Sequence, residues 1–170
     1  MVESVDNRNE RESTMKLIVQ RVSEASVTVA AACAGAIRDG FLVLVGCRFD
    51  DAPRDAEYLA AKLAALRVFE DEAGKMNRAL LQTGGSALLV SQFTLYADTR
   101  KGNRPGFELA GDPVKAKTMF DAFVEAVRGA LGPDKVATGV FGAEMRVALV
   151  NEGPVTLELC SDNQPWHGRP

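Results

Sequence analysis

Between Gly84 and Pro105 the chain makes its sharpest change of pattern. Ala87-Leu88-Leu89-Val90 is wholly apolar, and it stops in Ser91, Gln92 and Thr94 before the charged cluster Asp98, Arg100, Lys101 and Arg104. An apolar run launched from the Gly84-Gly85 turn predicts a strand covered on both faces, carrying polar groups to one end of a sheet, where ligands commonly bind. Phe41-Leu42-Val43-Leu44-Val45-Gly46, entered from the Arg38-Asp39-Gly40 turn, predicts a second such strand. Residues 16–22 and 25–29 instead mix β-branched with polar residues, and with Ser23-Glu24 as a short link they predict a hairpin. Residues 145–150 and 155–160 predict two further strands, separated by a turn at Asn151-Glu152-Gly153-Pro154.

Two segments switch to helical spacing. Asp51-Ala52-Pro53 opens one, whose apolar face is Ala56, Leu59, Ala60, Leu63 and Leu66. Gly111-Asp112-Pro113 opens the other, with the stripe Ala116, Met119, Phe120, Phe123, Val127 and Ala130, and Gly132-Pro133 ends it. A stripe of that kind reads as core. Arg67-Val68-Phe69 is strand-like and precedes a polar turn at residues 71–74. Strands outnumber helices, and the helices stand singly after groups of strands. The expected fold is therefore mixed α/β: a largely antiparallel sheet or partial barrel with two packed helices, not a doubly wound nucleotide-binding fold. Residues 15–161 are expected to form one domain, with 1–14 a disordered extension and 162–170 a flexible tail.

The length of 170 residues suits one domain with a sizeable core, and 46% hydrophobic with 25% charged residues is ordinary for a soluble protein. No apolar run reaches the roughly 20 residues of a transmembrane helix, so no membrane partner and a cytoplasmic location are expected. Cys33, Cys47 and Cys160 are too few and too scattered for a disulfide framework or a zinc site. His167, the single histidine, lies in the C-terminal tail, which argues against histidine triads and histidine-bound metals. A net charge of -3 argues against a protein that wraps long DNA or RNA, yet Arg100, Lys101 and Arg104 could grip one or two phosphates.

Spacing alone leaves the chemistry open. Ser91-Gln92-Phe93-Thr94 offers two hydroxyls and an amide, but a threonine nucleophile needs a base, and none lies at a short offset. Packing and turn hydrogen bonds are the plainer reading of the tetrad, as a simple turn is of residues 151–154. There is no Walker loop and no G-x-G-x-x-G stretch, and Asp71-Glu72 sits in a surface turn.

Taken together the two clusters are more specific. Ser91-Gln92-Phe93-Thr94-Leu95 followed by Ala97-Asp98 and Arg104-Pro105, with Asn151-Glu152-Gly153-Pro154-Val155-Thr156 near the C-terminus, resembles the D-aminoacyl-tRNA deacylase family. The likeness begins at Met15-Lys16-Leu17, runs through Gly74-Lys75-Met76-Asn77 and Gly139-Val140-Phe141-Gly142-Ala143-Glu144-Met145, and ends near Leu159. The resemblance implies hydrolysis of the ester between a D-amino acid and the 3'-terminal adenosine of tRNA, a chiral proofreading step in translation, with glycine misattached to tRNA(Ala) also accepted. It implies a homodimer with sites at the subunit interface, and no metal or cofactor. On this sequence, Ser91, Gln92 and Met145 would bind substrate, with residues 91–95 as a strand along one side of the pocket. The backbone at Phe93 and Thr94 would stabilise the oxyanion, with Thr94 as nucleophile the competing role. Gly153-Pro154, as a cis unit from the partner subunit, would exclude L-side chains, while Arg100, Lys101 and Arg104 would guide the tRNA end. Two other readings stand beside this one: an inactive module that binds an RNA 3' end, and a hydrolase of some other small ester.

Overall fold

The computed structural model describes residues 15–162; the expected extension at 1–14 and nearly all of the expected tail, His167 included, lie outside the described residues. In chain order the strands are β1 (Lys16–Val29), β2 (Ala32–Ile37), β3 (Gly40–Gly46), β4 (Arg67–Glu70), β5 (Met76–Ala79), β6 (Ser86–Ser91), β7 (Val136–Thr138) and β8 (Arg146–Cys160). The helices are α1 (Pro53–Ala65), the single turn α2 (Leu80–Thr83) and α3 (Pro113–Leu131). The main sheet runs β2-β1-β3-β6-β7 with β8 on the free side of β1, and β4 pairs with β5 beside it. β1 is antiparallel to β2, β3 and β8, whereas β3-β6 and β6-β7 are parallel. The sheet curls so far that a methyl group on Gly35 of β2 would lie 2.6 Å from the Thr138 carbonyl oxygen of β7. That near closure is the expected partial barrel.

Both faces of the central strands are covered, which is why they read as continuous apolar runs. Phe41, Val43 and Val45 of β3 and Ala87 and Leu89 of β6 meet Leu59 and Leu63 of α1 and Phe120 and Phe123 of α3 in the larger core. Leu42, Leu88 and Val90 point the other way and form the inner core with Val22, Ala25 and Val27. A fully buried side chain of this kind contributes about 1.5–3 kcal/mol. The two helices start where their sequences predict. Pro53 and Pro113 occupy first turns, and Asp112 accepts the N–H groups of Val114 and Lys115. At α1, however, the capping carboxylate is the buried Asp55, which accepts the Ala52 N–H at 2.8 Å, while Asp51 of the expected start accepts that of Arg48.

Three local expectations are corrected. Ser23-Glu24 is a bulge, not a hairpin link: Val22 pairs with Asn151 and Glu24 with Val150, so β1 spends two residues where β8 spends one. The extra residue moves Ala25 and Val27 to the inner core, whereas Leu17 and Val19 face the helices. Likewise, residues 151–154 do not divide two strands but form an excursion within β8. Gln20 pairs with Thr156 and Val22 with Asn151, so Arg21 alone stands opposite Glu152 to Val155. Finally, β6 ends at Ser91, and Phe93–Tyr96 is a short 3-10 turn rather than more strand. β5, α2 and β7 are too short for periodicity to reveal.

Candidate functional site

β6 releases the chain at Ser91 where its neighbour β3 also ends, at the pair Val45 and Ser91. Gln92 N–H still donates to Val45 O at 2.7 Å, but its backbone has left the strand region, and the 3-10 turn follows. The turn's first bond is Leu95 N–H to Gln92 O, 3.3 Å, so the amides of Phe93 and Thr94 stand at its open end. Thr94 Oγ1 accepts a hydrogen bond from the side-chain amide of Gln92, a neutral group that cannot serve as a base. Buried Tyr96 anchors the turn beneath β3 against Gly46, while the Phe93 ring is 57% exposed and lies edge-on to Phe107, centroids 5.1 Å apart.

Beside this turn opens a cavity of about 640 Å³. Ser91, Gln92 and Phe93 form one wall, Phe141, Gly142, Ala143 and Met145 another, and residues 110–113 with Ala116 the third. The consecutive residues Ser91, Gln92 and Phe93 thus share a cavity with Met145, which is distant in sequence. Phe141, Phe107 and Ala116 were not assigned to the site from sequence. Ala116 is buried in the core with Met119, Phe120, Phe123 and Val127 of its stripe, and from the first turn of α3 it also reaches the cavity wall. An aromatic preceding Gly142-Ala143, ahead of Met145, was the available signal for Phe141.

The third wall is tied down from below. Gly111 N–H donates to Cys47 O at 3.0 Å, and Arg48 bridges to Ala110. Cys47 itself lines the cavity, but burial, reinforced by Asp51, pushes its thiol up to about 12, so it stays protonated and is no nucleophile at neutral pH. Next to it, Asp51 Oδ2 accepts the Arg48 N–H at 2.6 Å, while Oδ1 is buried without a hydrogen bond. Burial, with Asp55 and Asp50 adding to it, pushes this carboxyl up from 3.8 to about 7. A carboxyl that binds its proton more tightly in the native state stabilises fully below its unfolded pKa, and that contribution is lost as pH rises through the folded value. Asp51→Asn stays neutral and keeps an acceptor for Arg48 N–H. Its stability advantage over the parent should grow by up to about 2.5 kcal/mol between pH 5 and pH 8, read by urea denaturation at both pH values. An advantage independent of pH would show that Asp51 ionises normally.

The loop after the 3-10 turn is closed by two backbone bonds of 2.8 Å between Asp98 and Gly106. Arg100 grips Asp98 through Nε and Nη2 at 2.9 and 2.6 Å, and this holds the Asp98 carboxyl well below the usual range. Its charge is therefore matched within the loop, while Lys101 and Arg104 are exposed on it.

Gly153 and Pro154 lie elsewhere. They are exposed, joined by a cis peptide bond, at the crest of the β8 excursion. Asn151 closes the base of that excursion, its Oδ1 accepting Val155 N–H at 2.7 Å and its Nδ2 donating to Val155 O at 3.1 Å. Arg21 supports it from β1, donating from Nε to Glu152 O at 2.9 Å and from Nη1 to Val68 O. In the ladder Ser91 is level with Val45, Leu17 and Leu159, whereas the excursion faces Arg21, four residues further along β1. Measured along the sheet at about 3.3 Å per residue and 4.8 Å per strand, the crest is on the order of 20 Å from Ser91, and residues 151–154 are not among those lining the cavity. It does not reach the cavity of its own chain.

The family model of D-Tyr-tRNA(Tyr) deacylase matches residues 18–160. The D-aminoacyl-tRNA deacylase of Thermomicrobium roseum is 60% identical over 147 residues, covering 86% of this chain and 94% of the relative. That of Thermus aquaticus is 53% identical over 151 residues, covering 89% and 98%. Among solved structures, one described as c-Myc DNA Unwinding Element Binding Protein superposes with a TM-score of 0.81 at 42% identity, covering 85% of this chain and 97% of the other. A probable eukaryotic D-amino acid tRNA deacylase gives 0.78 at 17% identity, covering 86% and 99%, a likeness of fold.

Proposed function

Because the chain belongs to the D-aminoacyl-tRNA deacylase family and hydrolyses the ester of D-aminoacyl-tRNA, we propose that the cavity beside Ser91–Phe93 holds the 3'-terminal adenosine and its aminoacyl ester. The observation that carries this reading is the convergence of Ser91, Gln92, Phe93 and Met145 on one largely apolar cavity at the end of β6. A purine needs flat apolar walls, which the Phe93 and Phe141 rings and the Met145 thioether supply, and a few polar groups to orient it. Ser91 and Gln92 are those groups.

In the proposed reaction water attacks the ester carbonyl, assisted by the neighbouring ribose hydroxyl. The amides of Phe93 and Thr94 receive the negative charge on the carbonyl oxygen as the tetrahedral intermediate forms. The C–O bond to the ribose then breaks, the departing oxygen takes a proton, and the D-amino acid leaves as the free acid. Thr94 acts here through its backbone. Its hydroxyl is bonded to the Gln92 amide, and no histidine or lysine is bonded to it among the described residues.

Gly153 and Pro154 serve the partner's cavity in a homodimer. A crest on the order of 20 Å along the sheet from its own Ser91 can act on an aminoacyl group only across an interface, and a twofold axis gives both sites the same wall. Its carbonyls offer acceptors to the substrate ammonium, and its bulk leaves no room for an L-side chain, so hand is read by exclusion. Glycine has no side chain to exclude, so mischarged glycyl-tRNA(Ala) is a second substrate. Lys101 and Arg104, with Arg100 braced on Asp98, meet the phosphates behind the terminal adenosine. Such an enzyme works in the cytoplasm, where aminoacyl-tRNA is made. No helix among the described residues is long and apolar enough to cross a membrane.

Parallel hydrolysis assays of D-Tyr-tRNA and L-Tyr-tRNA test the reading. Turnover of the D-ester alone is expected; no turnover would favour an RNA-end binding module, and turnover of both hands a generic esterase. In the same assay Thr94→Ala should retain most activity, within about tenfold, whereas a loss beyond about a thousandfold would restore the threonine nucleophile.

A further inference from the structure

Met145 is the flexible side chain in the cavity wall it forms with Phe141, Gly142 and Ala143, and something must hold its thioether in place. It packs on the inner core with Val27 and Leu149 on one side and faces the cavity on the other. Gly139, immediately after β7, lies directly behind it. A methyl group at position 139 would sit 2.6 Å from Met145 Sδ, 3.8 Å from its Cε and 3.6 Å from Val27 Cγ1. The first of these is far inside van der Waals contact, so a β-carbon and the present thioether cannot coexist.

The backbone there is not free to retreat. Gly139 N–H donates to Leu89 O at 3.0 Å, continuing the parallel β6-β7 ladder one step beyond the pair Leu89 and Thr138. Behind the thioether stands the packed inner core, with Val27 fully buried. The side chain of methionine is the softest element in the contact, and the cavity it lines is open space for it to move into. A β-carbon at position 139 would therefore drive the Met145 side chain into the cavity.

We infer that Gly139 is a positioning residue for substrate: by lacking a side chain it seats the Met145 thioether against the inner core and keeps open the wall on which the terminal nucleotide lies. The inference rests on the substrate-binding role of Met145 proposed above. It separates two effects that usually travel together. The clash is relieved by rotating a flexible side chain, so stability changes little, while the cavity loses the volume the thioether now takes.

Steady-state hydrolysis of D-Tyr-tRNA by the full chain tests this with Gly139→Ala, Met145→Ala and the double variant. Gly139→Ala should raise KM by about tenfold or more with kcat within about threefold, and move Tm by no more than about 3 °C. In the Met145→Ala background the same change should cost less than about twofold, because the group it displaces is gone. Equal losses in both backgrounds, or a wild-type KM for Gly139→Ala, would overturn the inference. A wild-type KM for Met145→Ala alone is instead the failure of the substrate-binding reading of Met145. If Gly139→Ala does not fold, the double variant decides: recovery of the fold on removing the thioether supports the contact, and no recovery overturns it.

Discussion

Gly153→Ala is expected to lower D-Tyr-tRNA hydrolysis by at least about a hundredfold while leaving the protein folded. Gly153 has φ +138°, a region closed to side chains by their own backbone, and a β-carbon would meet Val155 Cγ2 at 2.8 Å, Val155 N at 2.9 Å and Arg21 Nη2 at 3.3 Å. The alanine can be accommodated only if the excursion moves, and moving it disturbs the Arg21 bond to Glu152 O and the Asn151 bonds to Val155. Residues 152–154 are exposed, so little core is lost and the strain should cost about 1–3 kcal/mol. Activity should fall much further, because the crest is proposed to form the wall of the partner's site, where an error of about 1 Å is worth roughly a hundredfold. Thermal denaturation beside the D- and L-ester assays separates the two effects. Full D-turnover with unchanged discrimination would remove Gly153 from the site.

Gly40→Ala should fail at an earlier stage, in folding itself. Gly40 has φ +152°, and a β-carbon would fall 1.8 Å from Ser86 O and 2.7 Å from Ser86 N. These are backbone atoms of the first pair in the β3-β6 ladder, and the Ser86 amide is already bonded to Asp39 O at 3.0 Å. No rotamer relieves such a contact, so the strands must part where Phe41, Leu42, Ala87 and Leu88 begin the two cores. A cost above about 4 kcal/mol is expected, which for a chain of this size lowers Tm by at least about 10 °C or prevents folding. A Tm within a few degrees of the parent would mean that the two strands do not approach this closely.

The two glycines show which parts of the molecule were legible in advance. Gly40 belongs to a local signal, a polar turn entering an unbroken apolar run, and the strand lies where that signal puts it. The helices follow the same rule: Pro53 after Asp51-Ala52, and Asp112 with Pro113, are starts written within a few residues, although the carboxylate that caps the first is Asp55. The Ser23-Glu24 bulge was not legible, because a polar pair between two alternating strand-like stretches fits a turn as well as a one-residue slip. Only the pairing of Val22 with Asn151 and Glu24 with Val150 separates them. The excursion at residues 151–154 hid for the same reason: its glycine and proline are turn residues, and it takes Arg21 across the ladder to show that β8 continues past it.

The sequence by itself determined the apolar central strands, the places of the two long helices, the mixed α/β class and, through its two motifs, the family. Each of these depends on neighbours close along the chain or on residue identity. Tertiary structure alone decided that Phe141, Ala116 and residues 110–113 share a cavity with Ser91–Phe93, that Gly139 stands behind Met145, and that Gly153-Pro154 does not line that cavity. Those relations come from ladder register and sheet curvature, which bring together residues separated by tens of positions, and no local spacing carries that information.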